Sequence, residues 1–460
     1  MKITHPADLD RSAIADIARG ATPELSSELL DQLAASRAAT LADLAGDAPV
    51  YGVNTGMGAL SGVRLDAAAQ RQHQNTLMAG RAAGSAPWLR PTEARAVIAT
   101  RLRTLLDPAA GISPELCSHL AELLIPAAAA QPASVAAGRL ASRVEVRIPL
   151  RGGAAGEIIP LAHLGLTLLD GGYSFGPKEG IAFLEGVPGL TGLSVLACES
   201  ARTLIEQVLA VAGDEMALIG ANRDPLHPAT ARGDETLANI LEALSDRRGD
   251  TPDRALQAPV SFRVTAQALA VATRAVAGLE AAVDRALTAV TDSPAHLEGR
   301  FVGTAGFAGT DLAAAVSTLT TALVHLAELG AARLHRLLDP QVTGLPRQLS
   351  DSPGLHAGMV SVHKRAVGTV HRLRRFALPA LIGPIETSTG QEDVQSFGFE
   401  AYECFREAAE GLREVVACEL LAVQQGRRLQ AGDAGTADRP YGPEIDRFVA
   451  RLEAGWSDPT

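Results

Sequence analysis

The amino-acid sequence predicts a mainly α-helical protein that is built around a bundle of long helices. Hydrophobic residues make up 47% of the 460 residues and aromatic residues only 3%, and an apolar content dominated by Ala and Leu favours helix over sheet. Apolar residues recur at helical spacing over roughly 20 to 30 residues at a time, which corresponds to rods of roughly 30 to 45 Å. These stretches are 190–219, 261–290, 311–338, 359–381 and 398–429.

The chain contains no Pro/Ser-rich linker or charge run that would separate independent domains, so we predict one continuous structural unit with two regions. Residues 1–190 form a smaller N-terminal helical region that carries two glycine-rich loops. Residues 191–460 form the central long-helix bundle and the C-terminal helices. Within the first region, Thr22 followed by Pro23 predicts a helix start, with Thr as the cap and Pro at the first helical position.

Composition argues against several classes of partner. The formal net charge of -11 disfavours nucleic acid, because phosphate binding depends on clustered Lys and Arg. The four Cys residues form no CxxC pattern, so neither a zinc site nor a disulfide framework is predicted. No run approaches the roughly 18 apolar residues of a membrane span, and residues 1–11 lack the apolar core of a signal peptide. We therefore expect a cytoplasmic protein without a metal, nucleic-acid or membrane partner.

Two glycine-rich loops and one short motif carry the most information about function. The first loop, 50–58, reads Val-Tyr-Gly-Val-Asn-Thr-Gly-Met-Gly and contains Tyr51 and Met57. The second loop reads Gly-Gly-Ala-Ala-Gly at residues 152–156 and continues into an apolar segment. A Lys-Glu-Gly motif precedes Glu185 by a few residues. Glycines at these spacings permit tight backbone turns that other residues do not.

These motifs resemble those of the aromatic amino-acid ammonia-lyase and aminomutase family, the histidine ammonia-lyase-like proteins that carry the prosthetic group MIO. The family reads Tyr-Gly-Val-Asn-Thr-Gly-Phe-Gly and Gly-Ala-Ser-Gly-Asp at the two loops, and its Ala-Ser-Gly cyclises and loses water to give MIO. Here Ala154, Ala155 and Gly156 stand at those three positions. Alanine has no leaving group on its β-carbon, so the chain is identified as a divergent member that lacks the MIO-forming serine. The resemblance implies the family's long helical bundle, and we expect no cofactor.

The resemblance implies three catalytic residues. Tyr51 corresponds to a tyrosine that acts as acid/base on a mobile lid, and because an ordinary phenol has a pKa near 10, this role requires surroundings that lower it. Glu185 replaces an asparagine that contacts MIO, and a carboxyl group in a partly desolvated pocket can act as general acid or base. Outside the motif it would be an ordinary turn residue. Glu392 matches an active-site glutamate, although an acidic run is also typical of a helix N-terminus.

The resemblance also implies four substrate-binding residues. Arg263 matches an arginine that clamps the substrate carboxylate, a task suited to a guanidinium that binds two oxygens at once. Arg81 replaces an active-site histidine with a permanent cation, which predicts either anion binding or a helix cap or surface pair. Phe307 is retained from the family's Asn-Phe-His-Gly-Gln, and Met57 replaces the phenylalanine of the lid motif.

Five positions depart together from the family pattern, and three hypotheses about function follow. The positions are Arg81, Ala155, Glu185, Val260 and Ala308. The first hypothesis is an MIO-independent enzyme of specialised metabolism, a lyase or Michael-type cyclase that acts next to a carbonyl on a small carboxylate or activated acyl substrate. The second is a catalytically retired homologue that acts as a binding or assembly subunit. The third is an ordinary ammonia-lyase with an engineered serine-to-alanine change, which would explain Ala155 but none of the other departures.

Retention of the whole Tyr51 lid motif favours the first hypothesis over the second, because a scaffold has no need of a mobile tyrosine. The family resemblance further implies a homotetramer with composite active sites, acting on a small-molecule substrate.

Overall fold

The computed structural model describes residues 1–126, 145–152, 155–383, 385–433 and 437–456. These residues are mainly helical, and their named strands form two small two-stranded sheets. The predicted mainly α fold is therefore confirmed. Strand β1 (Lys2–Ile3) pairs in parallel with β2 (Glu24–Leu25), and β3 (Ala295–Leu297) pairs in antiparallel with β4 (Arg300–Val302).

The chain groups into two compact units, each assembled from three stretches. The first unit consists of Met1–Ala197, Leu279–Val316 and Ala380–Glu403, and the second consists of Cys198–Gly278, Ser317–Pro379 and Cys404–Thr460. The predicted division of the chain after residue 190 stays a prediction.

The helices that come first in the chain lie in the first unit, together with the start of the first long helix. They are α1 (Arg11–Ala18), α2 (Ser27–Leu44), α3 (Ala67–Arg81), α4 (Pro91–Leu105), α5 (Pro114–Leu123), α6 (Ile158–Asp170), α7 (Glu179–Leu184) and the start of α8 (Pro188–Ile219). Helix α4 packs against α1 and α5, and α3 packs against α6 and α7.

The second unit contains the remainder of α8 and the helices that follow it in the chain. They are α9 (Glu235–Arg248), α10 (Val260–Arg263), α11 (Thr265–Thr288), α12 (Thr310–Leu337), α13 (Pro340–Thr343), α14 (Val360–Leu373), α15 (Gly398–Ala431) and α16 (Gly442–Glu453), with the end of α11 and the starts of α12 and α15 belonging to the first unit.

Four of the five predicted long helices form as expected, namely α8, α11, α12 and α15. The fifth, predicted over 359–381, ends as an α-helix at Leu373 and continues only as a short 3₁₀ turn to Phe376. Pro379 follows, and a proline cannot continue a helix because it lacks an N–H and clashes with the preceding turn. The predicted helix start at Thr22 is wrong as well. Helix α2 begins at Ser27, where the Ser26 hydroxyl accepts the Leu29 N–H at 3.2 Å.

Three helical stretches are long and apolar enough to cross a membrane by length and composition. They are Glu179–Ile219, Thr265–Thr288 and Gly306–Leu337. The prediction that no run approaches a membrane span is therefore wrong for this chain. The most apolar windows of these stretches are 94%, 56% and 67% buried inside the protein, and helices of a protein core need this apolar character for packing.

A fully buried charge cluster lies within the second unit. The Arg333 guanidinium donates to Glu215 at 2.6 Å, to Glu419 at 2.7 Å and to the Thr265 hydroxyl at 3.2 Å. Burial and the charge of Glu419 raise the pKa of Glu215 well above its ordinary value. The second oxygen of each carboxyl group is buried without a hydrogen-bond partner among the described residues, and we infer that a proton shared by the two groups satisfies both. The cluster therefore balances one positive against one negative charge.

Candidate active site

Tyr51 sits at the start of a glycine-rich turn that folds back on itself. The Tyr51 hydroxyl accepts the backbone N–H of Gly58 at 2.9 Å. Gly52 and Gly58 have φ values of 65° and 56°, which lie in the left-handed region that glycine enters at little cost. The Asn54 amide oxygen accepts the Val50 N–H at 2.7 Å and so stabilises the turn. In this arrangement the phenol is held half-buried over its own loop.

Gln74 of α3 connects this loop to α7. Its side-chain amide donates to the Gly52 carbonyl at 3.0 Å and accepts the Ile181 N–H at 3.2 Å, and the residue is fully buried. The loop that bears Tyr51 and the helix that immediately precedes Glu185 are thus held by one side chain.

Glu185 is fixed by a buried arginine. Arg101 is 1% exposed, and its guanidinium donates to the carbonyls of Phe183 at 3.0 Å and Glu185 at 2.5 Å. These carbonyls belong to the C-terminal end of α7, where the helix leaves acceptors unsatisfied. Arg101 therefore positions the backbone of Glu185, whose side chain is itself almost fully buried.

The Glu185 carboxyl group has a pKa raised to about 8. The first cause is burial, followed by the negative charge of Asp292, and the cations Arg101 and Arg81 offset only part of these effects. Asp292 is paired with the fully buried Lys178 at 2.5 Å, while its other oxygen, Oδ1, is buried without a hydrogen-bond partner among the described residues. A carboxyl group with a pKa near neutral can both accept and donate a proton.

Tyr51, Arg81, Glu185 and Glu392 act on one another electrostatically, so the structure brings together four of the predicted site residues. Burial raises the pKa of Tyr51, and the charges of Glu185 and Glu392 raise it further, against the opposing effects of the Gly58 N–H and Arg81. The lowered pKa that a tyrosine base would require is thus not what the site produces. A neutral Tyr51 is suited to donate a proton, and Glu185 is suited to accept one.

Glu392 is held beside the turn that follows the lid loop. Its carboxylate accepts the Thr387 hydroxyl at 2.6 Å, and the backbones of these two residues pair. The hydroxyl of Ser388 lies 3.2 Å from where a β-carbon on Gly58 would be. The segment with Glu392 and the loop with Tyr51 are therefore neighbours in the first unit.

The second glycine-rich loop is covered by Phe307. Gly156 has a φ of 92°, and a β-carbon there would lie 3.3 Å from the Phe307 carbonyl oxygen and 3.8 Å from its ring. Ala155 and Gly156 are half-buried, and Ala154 lies outside the described residues. Phe307 and the second glycine-rich loop are therefore neighbours in the first unit.

Glu157, which follows this loop, was missed by the sequence interpretation. Its buried carboxyl group accepts the backbone N–H groups of Gly189 and Leu190 at the start of α8, the second at 2.6 Å. A carboxylate there satisfies donors that the helix leaves unpaired, although burial raises its pKa to about 8. The available signal was the family's Asp at this position of the motif.

A comparison with protein-family models shows the family of the chain. The family model described as aromatic amino acid lyase matches residues 9–454 of the chain. The chain belongs to the aromatic amino acid lyase family.

Relatives within the aromatic amino acid lyases cover nearly the whole chain. It is 30% identical to the histidine ammonia-lyase of Streptomyces coelicolor, over 94% of this chain and 90% of that protein. Two solved structures are similar in fold. Ergothionase from Treponema denticola matches with a TM-score of 0.88 and 19% identity, and 99% of each chain is covered. Tyrosine aminomutase from Streptomyces globisporus matches with a TM-score of 0.86 and 22% identity, and 98% of this chain and 97% of that chain are covered. The predicted family and its helical fold are confirmed.

The other two predicted substrate-binding residues of this aromatic amino acid lyase, Met57 and Arg263, lie in different surroundings. Met57 is only 8% exposed, and its Cγ lies 3.1 Å from where a β-carbon on Gly52 would be, so it packs inside the lid turn. Arg263 belongs to the second unit, where its Nε donates to the Ala258 carbonyl at 3.0 Å. The roles of both residues in substrate binding stay predictions.

Proposed function

We propose that this aromatic amino acid lyase is an MIO-independent enzyme that catalyses elimination or addition next to a carbonyl of a small carboxylate or activated acyl substrate. The observation that carries the proposal is the buried Glu185 carboxyl group, with a pKa of about 8, in the electrostatic neighbourhood of the Tyr51 phenol. Perturbed acid–base groups that cluster in this way are typical of catalytic sites.

The residues of the second glycine-rich loop do not fit the MIO group. Formation of its exocyclic methylidene requires a serine hydroxyl to leave from the β-carbon, and the side chain of Ala155 is a methyl group. The asparagine that contacts MIO in the family is Glu185 here. We therefore derive no catalytic step through MIO.

In the proposed elimination, Glu185 in its ionised form takes the proton on the carbon next to the substrate carbonyl. The electron pair of that C–H bond forms the new double bond, the bond to the β leaving group breaks, and Tyr51 protonates the departing group. Tyr51 then regains a proton from Glu185, which restores both residues. Addition is the same sequence reversed. A thioester or ketone makes the α-proton acidic enough for a general base alone.

The decisive test combines intact mass, absorbance and turnover. We expect the purified protein to have the mass of its unmodified sequence, to show no MIO absorbance and to leave histidine, phenylalanine and tyrosine unchanged. We also expect it to produce α,β-unsaturated products from some member of a panel of β-substituted carboxylates and their thioesters. A mass deficit of two waters would overturn the MIO-independent proposal, and no turnover across the panel would favour the binding-subunit hypothesis.

The ordinary ammonia-lyase hypothesis is the second candidate, because the histidine ammonia-lyase relatives share about the whole length of the chain. Ala155→Ser distinguishes it. If Ala155 were the only relevant departure, this variant would form MIO and convert an aromatic amino acid. We expect neither, because Arg81, Glu185 and Ala308 depart from the family as well.

We further propose a cytoplasmic homotetramer with composite active sites. Large apolar side chains of the first unit are exposed on and beside the segments that carry Tyr51 and Glu392, and such patches are typical of interaction surfaces. They are Leu60, Val63, Ile382, Ile385 and Val394. We expect light scattering to give the mass of four chains, and we expect Ile382→Glu combined with Ile385→Glu to reduce it. A wild-type mass of one chain would contradict the proposal.

A further inference from the structure

Arg81 is a half-buried cation that has no direct partner within the described part of the chain. Among the residues that the structure describes, nothing forms a hydrogen bond or ion pair with its guanidinium. Arg95, which is also half-buried in the same unit, instead donates to the carbonyls of Ile17, Leu124 and Ala21 at 2.8–3.0 Å. Five guanidinium donors removed partly from water without acceptors are unfavourable.

Arg81 lies on the face of α3 that is turned towards the lid loop and α7. It lies seven residues after Gln74, which places both on one face of the helix about 10 Å apart along the axis. Gln74 contacts the lid loop and α7 directly. Arg81 continues the same face; burial lowers its pKa, and the charges of Tyr51, Glu185 and Glu392 oppose this effect.

The end of a helix accounts for a cation only in part. Arg81 is the last residue of α3, where the helix dipole favours positive charge. That effect needs only the charge, and it leaves the planar fork of donors unused. The fork matches an oxygen anion, to which a guanidinium can donate two parallel hydrogen bonds.

We propose that Arg81 is an oxyanion subsite, which binds a carboxylate or a tetrahedral oxyanion of the substrate beside Tyr51 and Glu185. This inference rests on the proposed function, because it takes this cluster to be the active site. It restricts the substrate to molecules that carry an anionic group in addition to the carbonyl at which the chemistry occurs.

Binding of an anion at Arg81 is coupled to the protonation of Glu185. The charged groups that act on Glu185 are Asp292, Arg101, Glu392 and Arg81, and Arg81 is one of the two that lower its pKa. A bound anion offsets the charge of Arg81 and so favours the protonated Glu185. By reciprocity, protonated Glu185 favours the anion, so the affinity falls as the pH rises through about 8.

The test is a calorimetric titration of the full-length protein with acetate and with sulfate, whose charges are constant between pH 6.5 and 9. We expect binding to wild type, a loss of about tenfold or more in affinity in Arg81→Gln, and a smaller loss in Arg81→Lys, which keeps the charge but not the fork. Arg71→Gln is the matched control, because Arg71 is exposed on the same helix. We expect this control to bind as wild type does.

A preference for acetate identifies a planar carboxylate and a preference for sulfate a tetrahedral group, and either supports the subsite. The fall in affinity from pH 6.5 to 9 should disappear in Glu185→Gln. Absence of binding to the wild type, or an equal loss in Arg81→Gln and Arg71→Gln, would overturn the inference.

The two proposals can fail separately. Anion binding that depends on Arg81, without turnover of any substrate, would support the subsite and contradict the proposed chemistry. Turnover of an anionic substrate with a KM that is unchanged in Arg81→Gln would support the chemistry and contradict the subsite.

Discussion

Replacing Glu185 with glutamine is expected to lower turnover by roughly 10²–10⁴-fold, the usual contribution of a general acid or base, and at the same time to stabilise the protein at alkaline pH. Glutamine keeps the shape of the side chain but cannot accept the substrate proton. The carboxyl group is buried and has a pKa of about 8, against about 4.3 in an unfolded chain. The folded protein therefore holds this proton more tightly, and stability from this group declines as the pH rises from about 4.3 to about 8.

The expected gain for Glu185→Gln is up to about 4–5 kcal/mol in the free energy of unfolding at pH 8, with little change near pH 4. Urea unfolding at several pH values measures this, and the turnover assay follows the substrate found in the panel. Glu115→Gln is a suitable control, because Glu115 is exposed in α5. If Glu185→Gln lost turnover and stability together, Glu185 would have a structural role and the assignment as proton acceptor would fail.

Removing the cation of the buried cluster in the second unit is expected to have the largest effect on stability. Arg333→Met would leave Glu215 and Glu419 buried without their shared guanidinium, and breaking a buried ion pair in this way costs about 3–5 kcal/mol. Glu215→Gln is expected to be nearly neutral at pH 7, because an amide can donate to Glu419 as the protonated carboxyl group does. Glu419→Gln should cost more, because Arg333 favours the ionised form of Glu419 and the amide removes that charge.

The pH dependence of unfolding checks this assignment. The folded-state pKa of Glu215 is raised, so its contribution is complete at low pH and is lost as the pH rises through that value. Wild type should lose stability in alkaline solution, and Glu215→Gln should lose less. Equal urea midpoints for Arg333→Met and wild type, or a greater cost for Glu215→Gln than for Glu419→Gln, would contradict the shared-proton arrangement.

The two buried charge clusters differ in a way that bears on function. Arg333 compensates its carboxyl groups directly, with hydrogen bonds to both. Among the residues that the structure describes, none forms such a bond with the Glu185 carboxyl group, and Arg101 binds its backbone carbonyl instead. A buried carboxyl group that is left unpaired reduces the stability of the protein. Such destabilising groups are expected at sites where the chemistry requires a reactive side chain.

The mainly helical fold, four of its long helices and the family follow from the amino-acid sequence alone. Helical periodicity depends on residues three and four apart, so it can be recognised locally, and the glycine-loop motifs around Tyr51 and Ala155 are contiguous. The missing serine hydroxyl at Ala155 is likewise a property of one residue. The sequence interpretation failed near Pro379, where proline ended the predicted helix, and it overlooked three apolar stretches that reach the length of a membrane span.

The chemistry of the site depends on contacts between distant parts of the chain. The pKa of Glu185 depends on Arg101 and Asp292, which are far from it in the chain, and on the exclusion of water. The direction of the Tyr51 shift was opposite to that required of a base because two carboxyl groups and burial outweigh one arginine. The absence of any direct partner for Arg81 among the described residues became visible only once the chain had folded. Burial and electrostatic fields are sums over neighbours in space, and neither periodicity nor a motif contains that sum.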